Sequence, residues 1–321
     1  MAYTGTVLIT GGTSGLGYQC ALAIARQQPN YQIVVASRTD PNSAAASINN
    51  ALGQSNTTFF TLDLSDLTKV RAFTKEWEAK SFPPIRALLL NAGLQFLDSK
   101  HKTVDGFEAT FGVNHVGHAL LFHLLYPHLA EKARIIVTSS GTHDPAQKTG
   151  MPDATYTTAE ILARPTPETE KNSGAFCYST SKLVNVLWTY ALQRRLDRDM
   201  RKSLTVVAFD PGLLPGTGLA REFPRFLQWL WSSVLPRITP LLRLLLRTNN
   251  IHTAQESGEN LAWVALSPDV EGVSGVYFEG NKQIESSQDS HDLKKQEDLW
   301  AWTVKNITTS EEEARSFEIG S

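Results

Sequence analysis

Short apolar runs alternate along the chain with longer segments in which apolar residues recur every three or four positions. The runs near Thr6 to Thr10, Gln32 to Ser37, Thr58 to Leu62, Arg86 to Leu90, Arg134 to Thr138, Leu204 to Phe209 and Val273 to Phe278 predict strands. The periodic segments predict helices over roughly Gly15 to Gln28, Ser43 to Leu52, Leu67 to Ala79, Val104 to Leu129, Ala175 to Asp197 and Thr253 to Leu266. Such alternation is the signature of βα units on a parallel sheet, so the expected fold class is α/β: a doubly wound, seven-stranded parallel sheet with helices on both faces. With no internal repeat and no dividing linker, residues 1–321 read as a single domain.

Two stretches break the rhythm. His143 to Asn172 carries Pro145, Pro152, Pro165 and Pro167 and reads as an inserted loop, 143–172, with one short helix around Thr158 to Ala163. Pro215 to Asn250 is apolar and basic: Phe223, Phe226, Leu227, Leu230, Trp231, Val234 and Leu235 follow helical spacing, and the run resumes over Leu241 to Leu246. Arg221, Arg225, Arg237, Arg243 and Arg247 face a single acid there, Glu222. This segment, 215–250, is the expected substrate lid; an apolar helix edged with arginine suits either packing on its own protein or a peripheral membrane contact through 223–247. The polar tail, 285–321, is expected to hold a short helix near Leu293 to Val304 and to fray at Glu311-Glu312-Glu313.

Composition narrows the class. A chain of 321 residues with 41% hydrophobic and 19% charged residues supports one large core. A net charge of −2 points away from nucleic acid. Cys20 and Cys177 are too few for a disulfide framework and lack metal spacing, which suits a reducing, cytoplasmic setting. Met1 to Gly5 lead straight into a strand, so neither a signal peptide nor an N-terminal anchor is expected. His115, His118 and His123 share a helix, yet no carboxylate or cysteine stands at ligand spacing, and no metal is expected.

Two motifs carry chemistry. Thr10-Gly11-Gly12-Thr13-Ser14-Gly15-Leu16-Gly17 lies between a strand and a helix, where glycines allow a tight turn and close approach of a pyrophosphate to helix N-terminal N–H groups. Tyr178 and Lys182 stand four apart on one helix face. At an effective dielectric of about 20 and about 6 Å, the ammonium favours a phenolate by roughly 3 kcal/mol, about two pKa units. That pairing is a proton-transfer device.

The G-x-x-x-G-x-G turn together with Tyr178-x-x-x-Lys182 resembles the short-chain dehydrogenase/reductase family, over Thr6 to about Glu279, and implies a Rossmann-type fold. The resemblance implies further roles. Asp63-Leu64 matches the pair contacting the adenine ring; Asn91-Ala92-Gly93 matches the element lining the cofactor cleft; Asn114 matches the helix asparagine of the proton relay; Ser140 matches the catalytic serine. Asp210-Pro211-Gly212 with Thr217 matches the segment over the nicotinamide. Phe111 to His118 and Gly272 to Phe278 are similar to the branch containing retinol dehydrogenases, WW-domain oxidoreductases and protochlorophyllide reductases. Within the family, homodimers or homotetramers through the long helices are common.

Charge then selects the cofactor. After the second strand the chain reads Ser37-Arg38, without the acid that would meet a ribose 2′-hydroxyl, so NADP(H) is expected; Asp40 is the residue able to reverse this by turning to the ribose. The implied reaction is hydride transfer to the carbonyl of a bulky, largely apolar ketone or aldehyde, or the reverse alcohol oxidation. Tyr178 donates the proton, Ser140 orients the oxygen, Lys182 supports the tyrosine and binds ribose, and Asn114 connects the lysine to solvent. Two alternatives stay open: reduction of an activated C=C bond, and a non-catalytic NADP(H)-binding sensor or scaffold. Ser140 and Tyr178 are 38 positions apart, more than the resemblance implies, so the insertion between them must loop outward.

Overall fold

The computed structural model describes residues 3–200, 202–216, 224–246, 248 and 250–319. In chain order the elements are β1 (Gly5–Thr10), α1 (Gly15–Gln27), β2 (Tyr31–Ser37), α2 (Ala44–Leu52), β3 (Thr57–Thr61), α3 (Leu67–Ala79), β4 (Ile85–Leu90), α4 (Ala109–Phe111) and α5 (Gly117–Leu125). There follow β5 (Leu129–Thr138), α6 (Ala159–Ala163), α7 (Gly174–Leu196), β6 (Thr205–Asp210), α8 (Arg225–Trp229), α9 (Thr239–Leu246), α10 (Ala254–Leu266), β7 (Val276–Glu279), β8 (Lys282–Ile284), α11 (Leu293–Ile307) and α12 (Glu311–Ser316).

The sheet runs β3-β2-β1-β4-β5-β6-β7-β8, parallel as far as β7. Its order reverses between β1 and β4, which opens a crevice at the strands' C-terminal ends. The strands read as unbroken apolar runs because both faces are covered. In β1, Leu8 joins the core beneath α3, α5 and α7, while Val7 and Ile9 join the core beneath α1 and α10. Leu88 and Leu89 of β4, and Ile135 and Ile136 of β5, divide between the two cores in the same way. Capping sets several helix starts. Asp66 accepts from the N–H groups of Thr68 and Lys69 to begin α3, and Thr253 with Glu256 forms a reciprocal capping box for α10.

Three expectations are corrected. An eighth strand exists: the two residues Gly280 and Asn281 turn β7 back into the antiparallel β8, too short and polar to register as an apolar run. The helix expected over Val104 to Leu129 begins only at Ala109, where the buried Glu108 carboxylate accepts from Thr110 and Phe111 N–H. It widens into a π-helical turn over Gly112–Val116 and stops at Leu125, before Pro127. The acidic stretch is not frayed: Glu313 pairs with Arg71 of α3, which also donates to the Ile307 carbonyl at 2.6 Å, and α12 is held down.

The insertion carries α6 where expected, capped by Thr158. It docks on α11, since Asp298 Oδ2 accepts from Tyr156 Oη at 2.7 Å and Ala159 N at 2.9 Å. α11 in turn packs on α7 and α5. The three neighbouring histidines reach separate partners: His115 Nε2 meets Thr303 Oγ1, His118 Nε2 meets Thr10 Oγ1, and the His123 ring stacks on Phe317. Among the described residues no helix is long and apolar enough to cross a membrane.

Candidate active site

The glycine turn sits at the C-terminal end of β1. Gly11 and Gly15 take positive φ, +68° and +52°, a region L side chains rarely adopt. Gly17 packs so tightly that an added Cβ would lie 2.3 Å from the Gly11 carbonyl oxygen. Ser14 precedes α1 with no side-chain cap, and no acid stands in the first turn. These N–H groups are therefore left for an anion, and a dinucleotide pyrophosphate fits the donor set. Thr13 and Leu16 flank the turn, Thr13 Oγ1 donating to the Thr39 carbonyl at 3.3 Å and Leu16 being buried.

At the tip of β2, Ser37 is half-buried and Arg38 is exposed. Asp40 is engaged at the start of α2, where its Oδ1 accepts from Ala44 N at 2.8 Å. After β3, Asp63 is tied to Ser65 and to Lys69, 3.0 Å from Nζ. Burial pushes this carboxyl up, but the Ser65 and Lys69 bonds prevail and hold it below the usual carboxylate range. Leu64 beside it is buried.

Asn91, Ala92 and Gly93 line the floor. Thr10 Oγ1 accepts from the N–H groups of Asn91 and Ala92 at 2.8 and 2.9 Å, and Asn91 Nδ2 returns to the Thr10 carbonyl at 2.9 Å. Gly93 Cα leaves room such that a Cβ there would stand 3.5 Å from both Lys182 Nζ and Asn114 Oδ1. Asn114 lies inside the π-helical turn. Its side chain pairs both ways with Leu94 and donates to Ser181 Oγ at 3.0 Å. Thr10 and Ser181 were not singled out by sequence reasoning; threonine ending a buried strand was the only signal for the first.

On α7, capped by Ser173, Tyr178 and Lys182 share a buried face. Lys182 Nζ donates to the Thr138 carbonyl at 3.1 Å and lies 5.3 Å from the centre of the Tyr178 ring. Ser140 follows β5, with its hydroxyl beside the Tyr178 phenol. Electrostatics here departs from the sequence argument, which counted attraction and omitted desolvation. Burial pushes the phenol up, the Asp210 charge adds to this, and the Ser140 hydroxyl pulls the other way. Burial also brings Lys182 down to about 8, against the opposing Asp210 charge. The pair is thus a neutral phenol beside an ammonium that titrates near physiological pH.

Asp210 ends β6 fully buried, and sequence reasoning passed over it although it heads the Asp210-Pro211-Gly212 motif; a carboxylate closing an apolar strand was the signal. Pro211 is buried and Gly212 N donates to Asp210 Oδ1 at 2.8 Å. Thr217 lies outside the described residues, as do Arg221, Glu222, Phe223 and Arg247 of the lid. The described lid holds α8, a π-helical turn over Leu230–Val234, a 3-10 turn over Leu235–Ile238, and α9. Cys177 belongs elsewhere: it lines a cavity of about 50 Å³ with Phe111, Ile161 and Phe176, in which Tyr178 takes no part, and burial pushes its thiol up to about 12.

Comparison with known proteins decides the family. A family model described as short chain dehydrogenase matches residues 5–159, and one described as AcuH dehydrogenase domain matches residues 220–315. Retinol dehydrogenase 14 of Mus musculus is 33% identical over 307 residues, spanning 92% of this chain and 83% of that protein. The chain belongs to the short-chain dehydrogenase/reductase family. Other members similar to this dehydrogenase/reductase include polyprenol dehydrogenase of Homo sapiens, 30% identical over 92% of this chain and 82% of that one. Protochlorophyllide reductase of Pisum sativum is 30% identical over 94% and 78%. A solved structure from Mycobacterium paratuberculosis, an uncharacterised protein, superposes with a TM-score of 0.67 at 25% identity, covering 96% of this chain and 95% of that one. This short-chain dehydrogenase/reductase is therefore an oxidoreductase with a Rossmann-like nucleotide-binding fold, in the branch of retinol dehydrogenases and protochlorophyllide reductases.

Proposed function

We propose that this short-chain dehydrogenase/reductase uses NADPH to reduce the carbonyl of a bulky, largely apolar aldehyde or ketone, and catalyses the reverse oxidation of the alcohol. The observation that carries the reading is the buried Tyr178 phenol, beside the Ser140 hydroxyl and with Lys182 Nζ 5.3 Å from its ring centre. When bound, the nicotinamide supplies the hydride. The chain's own residues supply the rest. Ser140 Oγ hydrogen-bonds the carbonyl oxygen, and Tyr178 donates its proton as charge develops there. Lys182 offsets the phenolate charge left behind, and Asn114 steadies the site through Leu94 and Ser181.

Preference for NADPH follows from Arg38, exposed at the tip of β2, with no carboxylate at Ser37 and with Asp40 held by Ala44 N. An apolar substrate class agrees with the lid and with relatives named for retinol and polyprenol. The lid exposes Phe226, Trp229, Leu241 and Leu245 beside Arg225 and Arg237, and its described residues contain no acid. An anionic bilayer surface is the partner we assign to that face. The test is NADPH consumption with decanal and all-trans-retinal, with the alcohol identified as product, followed by flotation on phosphatidylserine vesicles. Turnover of neither aldehyde overturns the substrate class; equal flotation on neutral and anionic vesicles overturns the membrane assignment.

A further inference from the structure

Among the described residues Asp210 is the buried acid whose charge reaches both Tyr178 and Lys182, and its bonds reach further than the motif that contains it. Its Oδ1 accepts from Gly212 N at 2.8 Å and its Oδ2 from Asn250 Nδ2 at 2.9 Å. Those two partners stand where the chain leaves the sheet for the lid and where it returns. The same two points are zipped by Leu213 N to the Asn250 carbonyl, by His252 N to the Leu213 carbonyl, and by a parallel bridge between Leu213 and Ile251. Ser257 Oγ adds a 2.6 Å bond to the Pro211 carbonyl. One buried carboxylate therefore closes the base of the lid.

The other side of the carboxylate faces the reacting groups. A Cβ on Gly141, the residue after Ser140, would lie 3.1 Å from Asp210 Oδ2, so the serine turn passes directly over it. Charged and titratable groups facing it are Tyr178 and Lys182 of α7, Tyr277 and Glu279 of β7, His143 of the serine turn, and His252 of the returning chain. Of these, Lys182, brought down to about 8 by burial, supplies the opposite charge, and its Nζ is already bonded to the Thr138 carbonyl. The carboxylate is thus held in place by the lid's hydrogen bonds, in the field of both the phenol and the ammonium.

We propose that Asp210 is a positioning residue that joins the lid base to the proton-donating site: its hydrogen bonds hold the lid's two ends, and its carboxylate lies against the serine turn that carries Ser140. The inference rests on Tyr178 being the donor. Removing the charge makes both the Lys182 ammonium and the Tyr178 phenol easier to deprotonate, so the alkaline limb of the reductive profile moves down. At an effective dielectric of about 20, the expected movement is about one pH unit.

The experiment is the pH profile of kcat/KM for decanal reduction by the full chain with saturating NADPH, in the parent, Asp210→Asn and Asn250→Ala. Asp210→Asn keeps the size and is expected to lower the alkaline limb. Asp210→Ser, which retains an acceptor for the Gly212 N–H, is expected to lower it equally. Asn250→Ala breaks the lid bond and keeps the charge, so it is expected to raise KM and leave the limb in place. An unmoved limb in both Asp210 variants overturns the proposal, as does an equal shift in Asn250→Ala. Tyr178→Phe separates the underlying reading: if that variant still turns over decanal, the donor assignment fails, whereas a dead Tyr178→Phe with an unmoved limb in Asp210→Asn sinks this inference alone.

Discussion

Lowering the pH from 8 to 5 is expected to destabilise this fold through its buried histidines, and His123 offers the clearest measure. Its ring stacks on Phe317 with centroids 4.4 Å apart and 11° between planes, with Trp300 edge-on at 5.5 Å. Its Nε2 is buried without a hydrogen-bond partner among the described residues. Burial, with the nearby Arg195, brings its pKa down to about 3, Glu313 opposing; His115 falls to about 3 and His118 to about 4, also chiefly by burial. In the unfolded chain each titrates near 6.5, so below that pH the unfolded state takes up protons that the folded state refuses. The sign is a loss of stability as pH falls below 6.5, continuing until the folded pKa is reached. At pH 5 each histidine contributes a loss of about 2 kcal/mol, and the three together about 6 kcal/mol, a large share of an ordinary domain's stability. His123→Phe keeps the aromatic stacking and removes one such group. Urea unfolding followed by tryptophan fluorescence at pH 8 and pH 5 is the assay. The variant is expected to match or exceed the parent at pH 8 and to lose about 2 kcal/mol less on going to pH 5. Other titrating groups cancel in that difference. Identical pH dependence in the two proteins would refute the reasoning.

Three further outcomes follow from packing and charge. Gly17→Ala places a methyl 2.3 Å from the Gly11 carbonyl oxygen, so NADPH affinity by calorimetry is expected to fall about tenfold or more while the sheet stays folded. Arg38→Ala is expected to weaken NADPH about tenfold or more and to leave NADH nearly unchanged; an equal loss for both defeats the cofactor assignment. Arg71→Ala releases Glu313 and the Ile307 carbonyl, so hydrogen exchange is expected to quicken in α12, with a stability loss of about 1–2 kcal/mol.

The parts of the site legible in sequence are those whose chemistry acts on the local backbone. Gly11 and Gly15 are glycine because the turn needs positive φ, and Tyr178 with Lys182 follow helical spacing, so both patterns survive in one dimension. Burial does not leave such a trace. The spacing of Tyr178 and Lys182 shows their attraction but not the desolvation that outweighs it and raises the phenol. Long-range bonds are also silent: Asp210 finds Asn250 across 40 positions and Arg71 finds Glu313 across 242, neither marked by periodicity. β8 escaped because a two-residue turn and three mostly polar residues suffice when β7 is already in place. The helix over Val104 to Leu129 was overextended because its apolar spacing continues through the buried turn that Glu108 caps.

The central claim is that Tyr178 delivers the proton in an NADPH-dependent carbonyl reduction. Tyr178→Phe removes one oxygen from a buried ring and tests it directly, with NADPH binding and decanal reduction measured on the same preparation. The account predicts retained NADPH affinity and a fall in turnover of at least about 10²-fold. Turnover equal to the parent's, with affinity retained, would contradict it.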